Sequence, residues 1–176
     1  KEAWESVQHQ TYQDWEWVVV LNGPLADSIR NFLKDLVAGD SRVRIVQAPP
    51  DLAGVGALKR FACANCTGDL FLELDHDDLM PDNCFQEVVN TARKLPPLCF
   101  IYSDGVTQGF AGDQHSFTRE FGWRQYAWTH KGKTYIVNET HATTARSLCE
   151  ILYSPDHVRV WSKSAYHLAG GHNPAL

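Results

Sequence analysis

The chain has 176 residues, with 16 Lys and Arg against 21 Asp and Glu, for a formal net charge of −5. Its 44% hydrophobic and 21% charged residues are those of an ordinary globular domain, long enough to bury a core without disulfide staples. The acidic balance argues against a nucleic-acid binder, whose affinity rests on neutralising phosphates, and the longest apolar run, Trp17 to Leu21, is far too short to cross a bilayer.

Along the chain, Trp4 and Val7 share one face of a helix predicted over Lys1 to Gln10. The near-continuous apolar run Trp15 to Leu21, stopped by Asn22-Gly23-Pro24, predicts a strand buried on both faces, as parallel strands are. Ile29, Leu33, Leu36 and Val37 mark a helix from Leu25 to Val37, closed by Gly39, and Val43 to Val46 a second strand. A helix over Val55 to Cys66, a third strand Leu70 to Leu74, a helix opened by Pro81 and a fourth strand Leu98 to Tyr102 follow. Strands alternating with helices in this way predict an α/β fold with a mostly parallel sheet flanked by helices.

Residues Gly105 to Glu150 break the rhythm. They are polar and aromatic, with Phe110, Phe117, Phe121, Trp123, Tyr126, Trp128 and Tyr135, and read as an insertion of short strands forming a smaller antiparallel part. A last strand over His157 to Trp161 and a short helix ending at Gly170-Gly171 complete one domain, 1–176, without repeats or a linker. Five cysteines at irregular spacing fit a reducing compartment, hence a cytoplasmic protein, free or peripheral at the membrane. The single methionine is Met80 and the chain opens at Lys1, so the sequence is expected to be part of a longer product.

The sharpest local feature is Asp75-His76-Asp77-Asp78, directly after the third strand. Ligands of open parallel sheets bind beyond the carboxyl ends of the strands, and carboxylates crowded there repel unless a cation or proton relieves them. In an extended segment Asp75 and Asp77 point to one side, a hard-ligand site suited to Mg²⁺ or Mn²⁺. The alternative is an acidic cap on the helix that starts near Pro81, with Asp78 favouring its dipole. Cys63-Ala64-Asn65-Cys66 has redox or zinc spacing but no matching second pair, so it reads as core packing of a helix.

Three stretches together resemble the family-2 glycosyltransferases of the Rossmann-like GT-A fold. The first is Glu5-Ser6-Val7-Gln8-His9-Gln10-Thr11-Tyr12 with the strand after it. The second runs from Gly54 to Pro81, with Lys59, Gly68-Asp69 and Asp75-His76-Asp77. The third includes Pro155-Asp156-His157, Arg159 and Tyr166 through Gly170-Gly171-His172-Asn173. The resemblance implies transfer of a sugar, with inversion, from a nucleotide donor to a hydroxyl of a glycan, lipid-linked or protein acceptor. It implies Asp77 as principal ligand of a divalent metal, Asp75 on the ribose or a metal-bound water, and Lys59 near the nucleotide; a solvated helix lysine is the alternative for Lys59.

The family's paired aspartates at the end of the next strand appear as Leu21 and Asn22; Asn22 can still bond a nucleobase edge and Leu21 cannot, so UDP is the default nucleotide only. The family's first strand would precede Lys1 and its acidic general base would follow Leu176, so no catalytic base is assigned. His172, after two glycines, is a candidate third metal ligand or phosphate contact. Asp104, Trp123 and His157 are candidates for the acceptor side, the aromatic residues having local core packing as their alternative and His157 a structural place in the last strand. Two rival readings are a degenerate GT-A module that binds without turnover, and a sugar nucleotidyltransferase.

Overall fold

A computed structural model describes residues 1–107, 122–151 and 155–175. The predicted aromatic positions Phe110, Phe117 and Phe121 lie outside them. Helix α1 (Glu2–Gln8) sets Trp4 flat on Trp17, with ring centroids 5.6 Å apart, at the start of strand β1 (Trp17–Leu21). Gln10, just past α1, is 1% exposed. Its amide nitrogen donates to the carbonyls of Ser6 (2.9 Å) and Pro81 (2.7 Å), and its oxygen accepts from the Phe85 amide (2.8 Å). A buried amide so fully paired is a fixed joint, here between the first helix and the loop at Pro81.

Helix α2 (Asp27–Gly39) buries Leu33 and Leu36, and strand β2 (Val43–Gln47) pairs in parallel with β1, Trp17 opposite Val43 and Leu21 opposite Gln47. β1 is half-buried rather than fully buried. Helix α3 (Val55–Ala64) starts at Gly54, whose φ of +90° suits glycine, and buries Ala57 and Cys63. Strand β3 (Leu70–Leu72) is followed by the acidic loop and helix α4 (Cys84–Ala92). Pro81 does not open that helix: its carbonyl accepts from the Cys84 amide in a turn before it.

Strand β4 (Phe100–Tyr102) does not pair directly with β3. Strand β7 (Arg159–Ser162) lies antiparallel between them, with Val160, fully buried, opposite both Leu72 and Ile101. β3 and β4 thus run parallel to each other across an antiparallel strand. β7 arrives from the insertion instead of a crossover helix, which lets it approach from the opposite end. The insertion contributes the hairpin β5 (Arg124–His130) and β6 (Lys133–Glu139), turning at Lys131 and Gly132, both at positive φ, and helix α5 (Ala145–Glu150). Helix α6 (Lys163–Leu168) leaves β7 with the Ser162 hydroxyl as its cap. The α/β architecture and the smaller antiparallel part are those expected.

Candidate active site

Side chains alternate along a strand, so the residue two beyond Phe71 continues the same face. Phe71 packs in the core against Tyr166, ring centroids 5.3 Å apart, together with Cys63. Two residues on, that face carries Glu73, whose side chain is only 9% exposed. Its Oε2 meets Lys59 Nζ at 3.0 Å and Arg159 Nη2 at 3.2 Å, while Oε1 accepts from His172 Nε2. Burial alone pushes this carboxyl up; the His172 hydrogen bond and the two cations outweigh it and hold the group at about 2.

The loop beyond Glu73 is not extended. The Asp78 amide donates to the Asp75 carbonyl at 3.2 Å, closing a turn that returns Asp78 beside Asp75 and leaves Asp77 outside. Across from them stands His157, just before β7. Its Nδ1 is 3.3 Å from Asp78 Oδ2 and 3.3 Å from Asp156 Oδ1; its Nε2 is 3.4 Å from Asp75 Oδ2 and accepts from Arg159 Nη2 at 2.5 Å. Asp77, 75% exposed, has His76 Nδ1 at 3.6 Å.

Among the described residues, Asp75, Asp78 and His157 bring one donor atom each within 4.8 Å of one another. Two carboxylate oxygens and one imidazole nitrogen suit a divalent ion such as Mn²⁺, and the imidazole suits Mg²⁺ less. The charge balance fits as well. Burial, and beyond the opposing effect of His157 the neighbouring Asp75, Asp77 and Asp156, push the Asp78 carboxyl up, an excess of negative charge that a cation relieves. Lys59 Nζ stands 3.3 Å from Asp75 Oδ1 and Arg159 Nη2 meets His157 Nε2, so two cations border the acidic group; among the described residues the buried Arg159 Nε has no hydrogen-bond partner.

His172 stands away from that group. Gly170 and Gly171, at φ +84° and +71°, turn the chain after α6 so that His172 reaches Glu73 with Nε2 and the Tyr166 hydroxyl with Nδ1 at 2.8 Å. The Cys63 and Glu73 side chains hold its imidazolium well above the ordinary value, at about 9, against the opposing effect of burial.

Asn22 is exposed at the end of β1, between Leu21 and Gly23, which line a pocket of about 180 Å³ with Arg30, Lys34 and Gln47. Asp104 follows β4; its Oδ2 accepts from the Tyr126 hydroxyl and its Oδ1 from the Thr140 amide, both at 2.8 Å, joining β4 to the hairpin. Trp123 is 1% exposed, its ring 5.2 Å from that of His141. Trp128 stacks on His130 and neighbours Tyr135 on the hairpin, and Lys131 at the hairpin turn pairs with Asp82 at 2.6 Å. Cys63 is buried in the core and burial pushes the Cys66 thiol up to about 11, as packing residues require.

The structure therefore brings together Lys59, Asp75 and His157, and adds Asp78, Asp156, Arg159 and Glu73, which sequence reasoning gave no part in the chemistry. The signal for Glu73 was the lone charge in the apolar run Leu70 to Leu74. The signal for Arg159 and Asp156 was weaker, since charged residues flank most strands.

Residues 1–151 match the family model described as Glycosyl transferase family 2. Over 104 residues the chain is 28% identical to the O-antigen biosynthesis protein RfbC of Myxococcus xanthus, a stretch making up 59% of this chain and 8% of that protein. The match covers the α1 motif, the parallel strands, the acidic loop and the hairpin, and with it the chain belongs to glycosyl transferase family 2.

Proposed function

We propose that this chain is the donor-binding part of a metal-dependent, inverting glycosyltransferase that moves a sugar from a nucleoside-diphosphate donor to an acceptor hydroxyl. The observation that carries it is the joining of Asp75, Asp78 and His157 at the exit of β3, bordered by the cations of Lys59 and Arg159. Asp75, Asp78 and His157 would hold a divalent ion, which supplies Lewis-acid stabilisation of the departing diphosphate when bound. Lys59 and Arg159, the cations beside Asp75 and His157, would complement the charge that gathers on the diphosphate. Asp77, exposed on the outer side of the turn, is a further carboxylate for the hydrated side of the ion, and Asn22 an amide for the nucleobase edge.

The relative's name, an O-antigen biosynthesis protein, supports a growing glycan as the acceptor. Asp104 and the hairpin belong to that side of the reading, whereas Trp123, buried against His141, fits its alternative of local core packing. The general base is assigned to no described residue. Five free thiols support a cytoplasmic setting, and among the described residues no helix is long and apolar enough to cross a membrane.

Leu21, in place of a family aspartate, favours one second reading, a module that binds its nucleotide without turnover. Calorimetric titration of UDP, GDP and dTDP into the full-length protein, with and without Mn²⁺, tests the first. Manganese-dependent binding of one nucleotide is the expected result; no binding of any of them under either condition overturns it. Hydrolysis of the matching nucleotide sugar then separates an enzyme from a silent module.

A further inference from the structure

A carboxylate as buried as Glu73 needs cationic partners, and it has three. The informative feature is where two of those partners lead. Lys59 Nζ is 3.0 Å from Glu73 Oε2 and 3.3 Å from Asp75 Oδ1. Arg159 Nη2 is 3.2 Å from the same oxygen and 2.5 Å from His157 Nε2. Two single nitrogen atoms therefore bridge one buried oxygen to two of the three groups of the acidic cluster. The other oxygen, Oε1, takes His172 and through it the Tyr166 hydroxyl.

We infer that Glu73 is a positioning residue of the donor site: its buried carboxylate fixes the Lys59 ammonium against Asp75 and the Arg159 guanidinium against His157, and ties both to the turn at 170–173. The inference rests on the reading of Asp75, Asp78 and His157 as an ion site. Lysine and arginine side chains are long and rotamer-rich, and beside three carboxylates they would otherwise settle wherever the local charge drew them. Anchored on one buried oxygen, Lys59 presents a defined N–H to Asp75 Oδ1, while Arg159, whose N–H takes the His157 Nε2 lone pair when no ion is there, keeps Glu73 as its partner once an ion takes that lone pair. Outer partners of this kind orient ligands, and their loss costs about 10–100-fold in metal affinity. A carboxylate that served packing alone would have its cations turned into the core, and neither would reach a ligand.

The test is titration of Mn²⁺ into the full-length protein, followed by electron paramagnetic resonance, with pulsed detection of the ¹⁴N coupling from a bound imidazole. In Glu73→Gln, which keeps the shape and removes the charge, the Mn²⁺ dissociation constant is expected to rise about 10-fold or more, with a weakened ¹⁴N coupling. A folded Glu73→Gln protein with unchanged affinity and unchanged coupling overturns the inference. Should that variant not fold, Glu73→Asp decides: it keeps the charge but cannot reach Lys59 and Arg159 together, so unchanged affinity and coupling again overturn it. Failure of the unaltered protein to bind Mn²⁺ overturns the ion-site reading itself, an outcome seen before any variant is made.

Discussion

Glu73 and His172, 99 residues apart in the chain, meet through a carboxylate oxygen and an imidazole Nε2, and this contact joins the end of β3 to the turn after α6. Neither residue is predisposed to it by its neighbours. The strand places Glu73 by alternation from Phe71, and two left-handed glycines place His172. The ion pair thus ties together two local structures that are far apart in the chain.

Its pH dependence follows from the direction of the shift. His172 is raised from 6.5 to about 9, by the Cys63 and Glu73 side chains against burial. The other groups facing it are the Tyr166 hydroxyl, the Trp161 ring at 5.4 Å, and Arg60, which donates to its carbonyl at 3.3 Å. A group raised on folding gives its full stabilisation below its unfolded value and loses it as the pH climbs through its folded value. The Tm advantage of the natural protein over His172→Gln is expected to be level below pH 6.5 and to decline up to about 9. Thermal unfolding of both across that window checks it, and an advantage that stays constant rules out this origin.

The two glycines should differ. Both are left-handed, but a Cβ on Gly170 meets open space, whereas one on Gly171 lies 2.9 Å from Tyr166 Cε1 and 3.1 Å from its hydroxyl. Gly170→Ala bears backbone strain alone, about 1 kcal/mol, and Gly171→Ala at least about twice that because the ring must also move. Denaturant unfolding of both variants measures the difference. Equal costs would mean that Tyr166 yields freely, contrary to its place in the core.

What the sequence made legible was local. The run Trp17 to Leu21 stopped by Asn22-Gly23 is β1, and the acidic residues do follow β3. The position of β7 between β3 and β4 was not legible, because no periodicity in Arg159 to Ser162 says which strands it pairs with. The choice among carboxylates was hidden for a different reason. An extended backbone puts Asp75 and Asp77 on one side; the hydrogen bond from the Asp78 amide to the Asp75 carbonyl bends the chain and exchanges Asp77 for Asp78. One backbone hydrogen bond sets Asp78 instead of Asp77 beside Asp75, and composition carries no trace of it.

Gln10 offers a test of how the acidic loop is held from behind. Its side chain spans α1, the Pro81 carbonyl and the Phe85 amide, and it is 1% exposed. Gln10→Ala takes a partner from three backbone groups, of which the Pro81 carbonyl keeps the Cys84 amide, and is expected to cost at least about 2 kcal/mol. Hydrogen exchange should quicken most at the Phe85 amide. Uniform quickening across the domain instead would show that Gln10 supports the fold at large and not this joint.

The turn at Asp75 and Asp78 leads to the sharpest expectation, since the family resemblance and the geometry favour different carboxylates. Asp77 is exposed, with His76 its ion-pair partner among the described residues, whereas Asp78 and His157 converge on Asp75. If the ion sits where three donor atoms already meet, Asp78→Asn and His157→Gln remove direct ligands and weaken Mn²⁺ binding by about 100-fold or more, beyond what outer partners cost. Asp77→Asn, touching the ion at most from its hydrated side, should weaken it by less than about 10-fold. Mn²⁺ titration of the three variants in the full-length protein, with UDP present and absent, gives the ranking. The reverse order, with Asp77→Asn the most damaging, would mean that the turn opens when the donor arrives and that an extended loop is the working state. In that event the hydrogen bond from the Asp78 amide to the Asp75 carbonyl breaks on binding, and exchange at that amide should quicken when Mn²⁺ and UDP are added.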